Sequence, residues 1–158
     1  MSYSTILNEL RLVLLSVAGI GNVHDRRRNS TFWDKYYASH RVGGQVNNWE
    51  ISRTSLKKDV NAVQGAGGVE PLFHVEHEIE IRGHMSFSDG NDSETQFQTL
   101  LERIHIALTA SFLLNGTLIL PLVDTDRAIN IEIGHETLGG VLCHLAKINL
   151  SAIERIGG

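Results

Sequence analysis

Ile6, Leu7, Leu10, Val13, Leu14 and Val17 recur at spacings of three and four, a period that predicts an amphipathic helix over residues 4–17 with one buried face. Ser4 or Thr5 stands where such a helix is capped, and Gly19 and Gly21 follow where a left-handed backbone ends it. A short strand is expected over residues 22–25. Residues 26–44 sustain no period, although Phe32, Trp33, Tyr36 and Tyr37 fall there, and read as a long, partly ordered loop. Alternation returns over residues 45–56 with Val46, Trp49, Ile51 and Leu56, predicting a second strand. Residues 57–68, KKDVNAVQGAGG, are charged and then small and glycine-rich, and read as a flexible hairpin connection.

The clearest strand pattern spans residues 72–88. Phe73, Val75, His77, Ile79, Ile81, Gly83, Met85 and Phe87 share one face; His74, Glu76, Glu78, Glu80, Arg82, His84 and Ser86 share the other, which reads as solvated. A turn, SDGNDS, leads to a second helix capped by Asp92 or Ser93, with Glu94 near the positive end of the helix dipole. Phe97, Leu100, Leu101, Ile104, Leu108 and Phe112 keep helical spacing to about Leu114, where Asn115 and Gly116 stop it. Ile129, Ile131 and Ile133 mark a fourth strand and residues 141–150 a fifth, with the last eight residues a loose tail. The order α-β-β-β-α-β-β predicts an α+β fold, two amphipathic helices on one face of a mainly antiparallel sheet.

Length and composition narrow the class. The 158 residues suit a single domain over 1–158, and 42% hydrophobic with 20% charged residues suits a folded chain rather than a disordered one. The longest apolar run, residues 12–20, is broken by Ser16 and Gly19, so no membrane span is expected. The N-terminal stretch, interrupted by Glu9 and Arg11, lacks the pattern expected of a signal peptide, and the solitary Cys143, unable to form an internal disulfide, suggests folding in a reducing cytoplasm.

The net charge of −4 hides an asymmetry. Residues 1–60 hold nine Lys or Arg against five Asp or Glu, and the remainder five against thirteen. An acidic total argues against nucleic acid as principal partner, whereas basic and acidic parts on one chain suit head-to-tail contact between copies.

The motifs give no enzyme signature. His74 and His77 point to opposite faces of a strand, and His144 lies beside Cys143 and projects away from it, so neither pair suits a shared metal or a thiolate–imidazole couple. Cys143 reads as a small core residue. Gly65, Gly67 and Gly68 lack the following Lys and Ser/Thr of a phosphate loop. No catalytic residue, metal ligand or cofactor is assigned. The candidate interface comprises Arg26, Arg27, Arg28, Phe32, Trp33, Tyr36 and Tyr37, an arginine and aromatic set of the kind found at protein contacts, with Lys57, Lys58, Glu76, Glu78 and Glu80.

Several short stretches, in order along nearly the whole chain, carry a resemblance. They are Gly19-Ile20-Gly21, Val23-His24-Asp25, Asn48-Trp49-Glu50-Ile51 followed by Arg53, Ile81-Arg82-Gly83-His84-Met85, the helix with Phe97 and Leu100, and the run from Gly139-Gly140 to Ala146. Together the chain resembles the tail-terminator or tail-completion proteins of tailed bacteriophages. The resemblance implies a virion protein at the tail neck, assembled in the host cytoplasm. Its role would be a homo-oligomeric ring, six-membered, that caps the tail tube, ends tube polymerisation and meets head-completion or connector proteins. DNA would pass only transiently through its lumen. Glu76, Glu78 and Glu80 would then face a neighbour's basic loop or that lumen. Alternatives are another neck component, such as a head-closure or connector protein, and a small metal-dependent enzyme using the histidine-rich strand.

Overall fold

In a computed structural model, the structure describes residues 3–27, 35, 41–42, 45–65, 68–111, 113–114, 118–119, 129–138 and 140–157. Helix α1 (Tyr3–Leu15) leads into β1 (Asn22–His24), followed by β2 (Arg41–Val42), β3 (Gln45–Gly65) and β4 (Gly68–Ser86). A 3₁₀ turn (Asp89–Asn91) precedes α2 (Ser93–Ala110). The short β5 (Leu113–Leu114) and β6 (Leu118–Ile119), then β7 (Asn130–Leu138) and β8 (Val141–Gly157), complete the chain. Without the three two-residue strands, the order is the predicted α-β-β-β-α-β-β. The fold is α+β.

The sheet runs β1-β3-β4-β8-β6-β5, with β2 beside β3 and β7 beside β8. Among the described residues only β1 and β3 pair in parallel; the other pairs are antiparallel. Both helices lie on one face. Ile6, Leu10 and Leu14 of α1 and Phe97, Leu101, Ile104 and Leu108 of α2 bury against Trp49, Ile51, Ile79, Ile81, Ala146 and Ile148. Gly19, at φ 89°, turns the chain out of α1 through the left-handed region that glycine enters without a Cβ clash. Gly83 lies under the Trp49 ring, where any Cβ would collide with it.

The strand pattern carries one break. Between Arg53 and Ser55 the β3–β4 register shifts, so Ser52 faces Glu80 but Ser55 faces Glu78. A bulge inserts one residue and reverses which face later side chains occupy. Trp49 and Ile51 therefore point to the helices from odd positions, whereas Leu56 lies opposite His77 on that same face from an even one. Val46 has the opposite parity to Trp49 and packs on the other face with Leu138 and Cys143.

Three expectations are corrected. Residues 57–65 are not a flexible connection: β3 continues to Gly65 and closes on Gly68, each residue having a partner on β4. Of the last eight residues, 151–157 are not a loose tail, because they pair with 72–78, and Gly158 falls outside the described residues. In both places the neighbouring strand supplies a template that outweighs weak local propensity. The second helix ends at Ala110, short of Leu114, which lies in β5; Asn115 and Gly116 fall outside the described residues. Of the expected 26–44 loop, Arg41–Val42 forms β2, while residues 28–34, 36–40 and 43–44 fall outside the described ones.

Candidate functional site

The outer edge of β3 is covered for only part of its length. β2 pairs with residues 45–46 and β1 with residues 48–50; among the described residues no strand continues along this edge from Ile51 to Gly65. At about 3.3 Å per residue, that edge is roughly 45 Å long. Where it opens, a cleft of about 460 Å³ has Tyr3, Leu7 and Ile51 in its wall and the cations Arg26, Arg27 and Arg53 around it. The Tyr3 hydroxyl accepts the Arg53 N–H at 2.8 Å, and the Arg53 guanidinium sits 4.1 Å from the centre of the Tyr3 ring. This contact ties the start of α1 to the beginning of the open edge and holds one cation there by its stacking on an aromatic face.

The hairpin brings several of the residues named from sequence onto one face. Arg27 reaches Glu80 at 2.6 Å, Arg82 approaches the same carboxylate at 3.4 Å, and Lys57 meets Glu78 at 2.6 Å. Glu76 is Lys57's register partner, while Lys58 pairs with Val75 and so belongs to the opposite face. Arg26 is exposed beside the cleft. The glutamates expected to attract a neighbour's basic loop thus meet, at Glu78 and Glu80, cations of their own chain. Arg28, Phe32, Trp33, Tyr36 and Tyr37 lie outside the described residues.

Further along, the face opposite the helices is not the solvated one that alternation suggested. His84 is 3% exposed, Asn48 0% and Glu50 5%. The His84 Nε2 lies 2.7 Å from Glu136 Oε2, and Asn48 Nδ2 donates to Glu50 at 3.4 Å. Burial lowers the pKa of His84, against the opposing pull of Glu136 and Glu50, so the imidazole is neutral and its Nε2–H donates to the carboxylate. Cys143 is fully buried beside Val46 and Leu138, as its small apolar character predicted. Burial, reinforced by Glu136, raises its thiol pKa to about 11, which suits packing rather than nucleophilic chemistry.

On the helix face a second histidine group assembles from three elements. His144 of β8 is fully covered, its ring stacked on Phe97 at 5.1 Å and tilted against Phe87 at 4.7 Å. Its Nδ1 lies 3.1 Å from Glu94 Oε2 and its Nε2 2.9 Å from Ser93 Oγ, which also accepts the Ser88 N–H at 2.8 Å. Ser93 therefore spends its hydroxyl on His144 and the preceding turn. Asp92 is the N-cap residue, at φ 51°, but its side chain makes no capping bond, so neither predicted cap acts as one. Burial lowers the pKa of His144 although Glu94 raises it, leaving a neutral ring. His135 of β7 is the direct cross-strand partner of His144, with ring centres 5.5 Å apart.

Sequence reasoning set His144 aside by looking only at its neighbour Cys143, and did not single out His135. A usable signal lay in the turn between them: with Leu138 opposite Val141 around Gly140 at φ 83°, residues 135 and 144 are equidistant from the turn and must face each other. Among the described residues no helix is long and apolar enough to cross a membrane. No protein-family model matches the chain, and no curated protein does.

Proposed function

We propose that this chain is the subunit of a homo-oligomeric ring, six-membered, that caps a bacteriophage tail tube, ends its polymerisation and joins it to head-completion proteins in the virion. The single observation that carries the reading is the outer edge of β3 from Ile51 to Gly65, along which no strand pairs among the described residues. An unpaired edge of this length is a template for another chain's backbone, and soluble proteins cover or blunt such edges unless a partner uses them. A second copy is the partner, because a heterologous contact that repeats through a rotation closes into a ring. The ordered resemblance to tail-terminator proteins supplies the tube and the head-completion proteins as the ring's two neighbours. At the cleft where the edge begins, the exposed Arg26 and Arg53 are cations that a partner copy's acidic groups would meet.

The test combines the chain with tail-tube protein and counts subunits by negative-stain microscopy and native mass spectrometry. Six-subunit rings seated on tube ends, with tube growth arrested, are the expected result. Replacing residues 60–73 with an Asn-Gly turn shortens the arm while leaving the helix-covered core, and abolishes rings in a chain that still folds. Monomers on unrestrained tubes, or normal rings from the shortened chain, sink the proposal.

A further inference from the structure

We propose that Glu94, His135 and His144 form a binding site for a divalent transition metal of the zinc class, with solvent completing its coordination. Each residue offers one ligand atom, and these atoms lie within 4.8 Å of one another although they come from α2, β7 and β8. Two imidazole nitrogens with one carboxylate oxygen form a borderline donor set that selects zinc-like ions over calcium or magnesium, which prefer oxygen alone. On a tetrahedral ion with bonds of about 2.0–2.1 Å, neighbouring ligand atoms stand roughly 3.3 Å apart. The His144 Nδ1 and Glu94 Oε2 are already at 3.1 Å. His135 and Glu94 are exposed, so their side chains are free to close the remaining gap by rotation about their own bonds.

The support around His144 is what a metal ligand requires. Phe87 and Phe97 fix the ring plane, and Ser93 holds the nitrogen that does not face Glu94. A hydroxyl both donates and accepts. Without metal, Ser93 O–H donates to Nε2 and Nδ1–H donates to Glu94. With metal, the tautomer reverses: Nδ1 turns its lone pair to the ion and Nε2–H donates to Ser93 Oγ, the outer hydrogen bond that orients liganding histidines. A simple Glu94–His144 hydrogen bond accounts for two of the three residues and leaves unexplained the third donor placed opposite them by the β7–β8 register. The first turn of α2 presents its positive end to the site, which opposes a cation and weakens its binding modestly.

The full chain, purified with chelator and titrated with Co²⁺ and then Zn²⁺, tests the site. One equivalent of Co²⁺ is expected to give visible absorption bands of four- or five-coordinate geometry that Zn²⁺ erases. His135→Ala, exposed and outside the core, is expected to weaken Co²⁺ binding on the order of a hundredfold, and Ser93→Ala about tenfold, with circular dichroism showing both variants folded. His105→Ala, at an exposed position farther along α2, serves as control and leaves binding unchanged. Absence of the bands in the wild-type chain, or His135→Ala titrating like His105→Ala, overturns the proposal.

Discussion

The two faces of the central sheet solve burial in opposite ways. On the helix face, Trp49, Ile51, Ile81 and Ile148 meet the apolar stripes of α1 and α2, and closeness of fit is the constraint. On the other, Asn48, Glu50 and His84 are equally hidden but polar, flanking a small apolar cluster of Val46, Leu138 and Cys143. The first face gains from removing carbon from water; the second must satisfy hydrogen bonds merely to offset desolvation. Within the described residues that satisfaction is incomplete, since His84 Nδ1 and Asn48 Oδ1 have no hydrogen-bond partner. A strand with perfect alternation therefore does not separate inside from outside; it separates two interiors of different chemistry.

The sharpest way to break the contrast is steric. Gly83→Ala drives a Cβ into the Trp49 ring and is expected to destabilise the fold by about 2–3 kcal/mol, the upper part of the overpacking range. In a Trp49→Leu background, the same substitution costs less, because the ring it strikes is gone; denaturant titrations of the two single variants and the double variant measure the difference. Equal costs in both backgrounds would mean that the helix face is not closely packed at this point.

Next in size is the polar face's response to acid. His84 has a folded pKa below its ordinary 6.5, so stability is full above that value and is lost as the pH falls below it, while the unfolded chain gains a proton that the fold resists. Melting temperature is expected to drop between pH 7 and pH 5. His84→Gln costs about 1–2 kcal/mol at neutral pH by weakening the bond to Glu136, yet reduces the slope in acid, leaving the share from His144, whose pKa is lowered in the same direction. An unchanged slope in His84→Gln would place the acid sensitivity elsewhere.

The smallest effects belong to the ion pairs at the surface of that same face. Arg27 is 44% exposed against a 13% exposed Glu80, and Lys57 is 59% exposed against Glu78 at 39%. Water and salt screen both, so Arg27→Ala is expected to cost below about 1 kcal/mol and Lys57→Ala close to nothing, with the first effect shrinking further at high salt in thermal melts. A loss well above that from Lys57→Ala would show the hairpin arm depending on charge rather than on its backbone ladder.

Much of the fold was legible because its signals are local. The three-and-four spacing from Ile6 to Val17 and from Phe97 to Leu108 located both helices, and the period-two run through Ile79 and Ile81 located β4. The extension of β3 to Gly65 and of β8 to Gly157 was not, because KKDVNAVQG and SAIERIG acquire strand character from β4 beside them. The bulge at residues 53–55 also escaped, since one inserted residue leaves no compositional trace. Of the candidate interface, the pairings of Arg27 with Glu80 and Lys57 with Glu78 join distant segments that charge counting suggested only in aggregate. The Glu94–His135–His144 group required knowing that α2 begins over the β7–β8 turn, a relation between elements rather than a pattern within one.

The position of β8 has a consequence for how the molecule is made. It lies between β4 on one side and β6 and β7 on the other, yet it follows all of them along the chain. A ribosome releasing this chain from its N-terminal end thus exposes the β3–β4 ladder with β4's second edge bare, and among the described residues β6 has only β5, and β7 no strand, to pair with until residues 141–157 emerge. The interval before that last strand arrives is when the nascent protein is most open to pairing with the wrong chain, and any factor that shortens or shields it will raise the yield of correctly closed sheets.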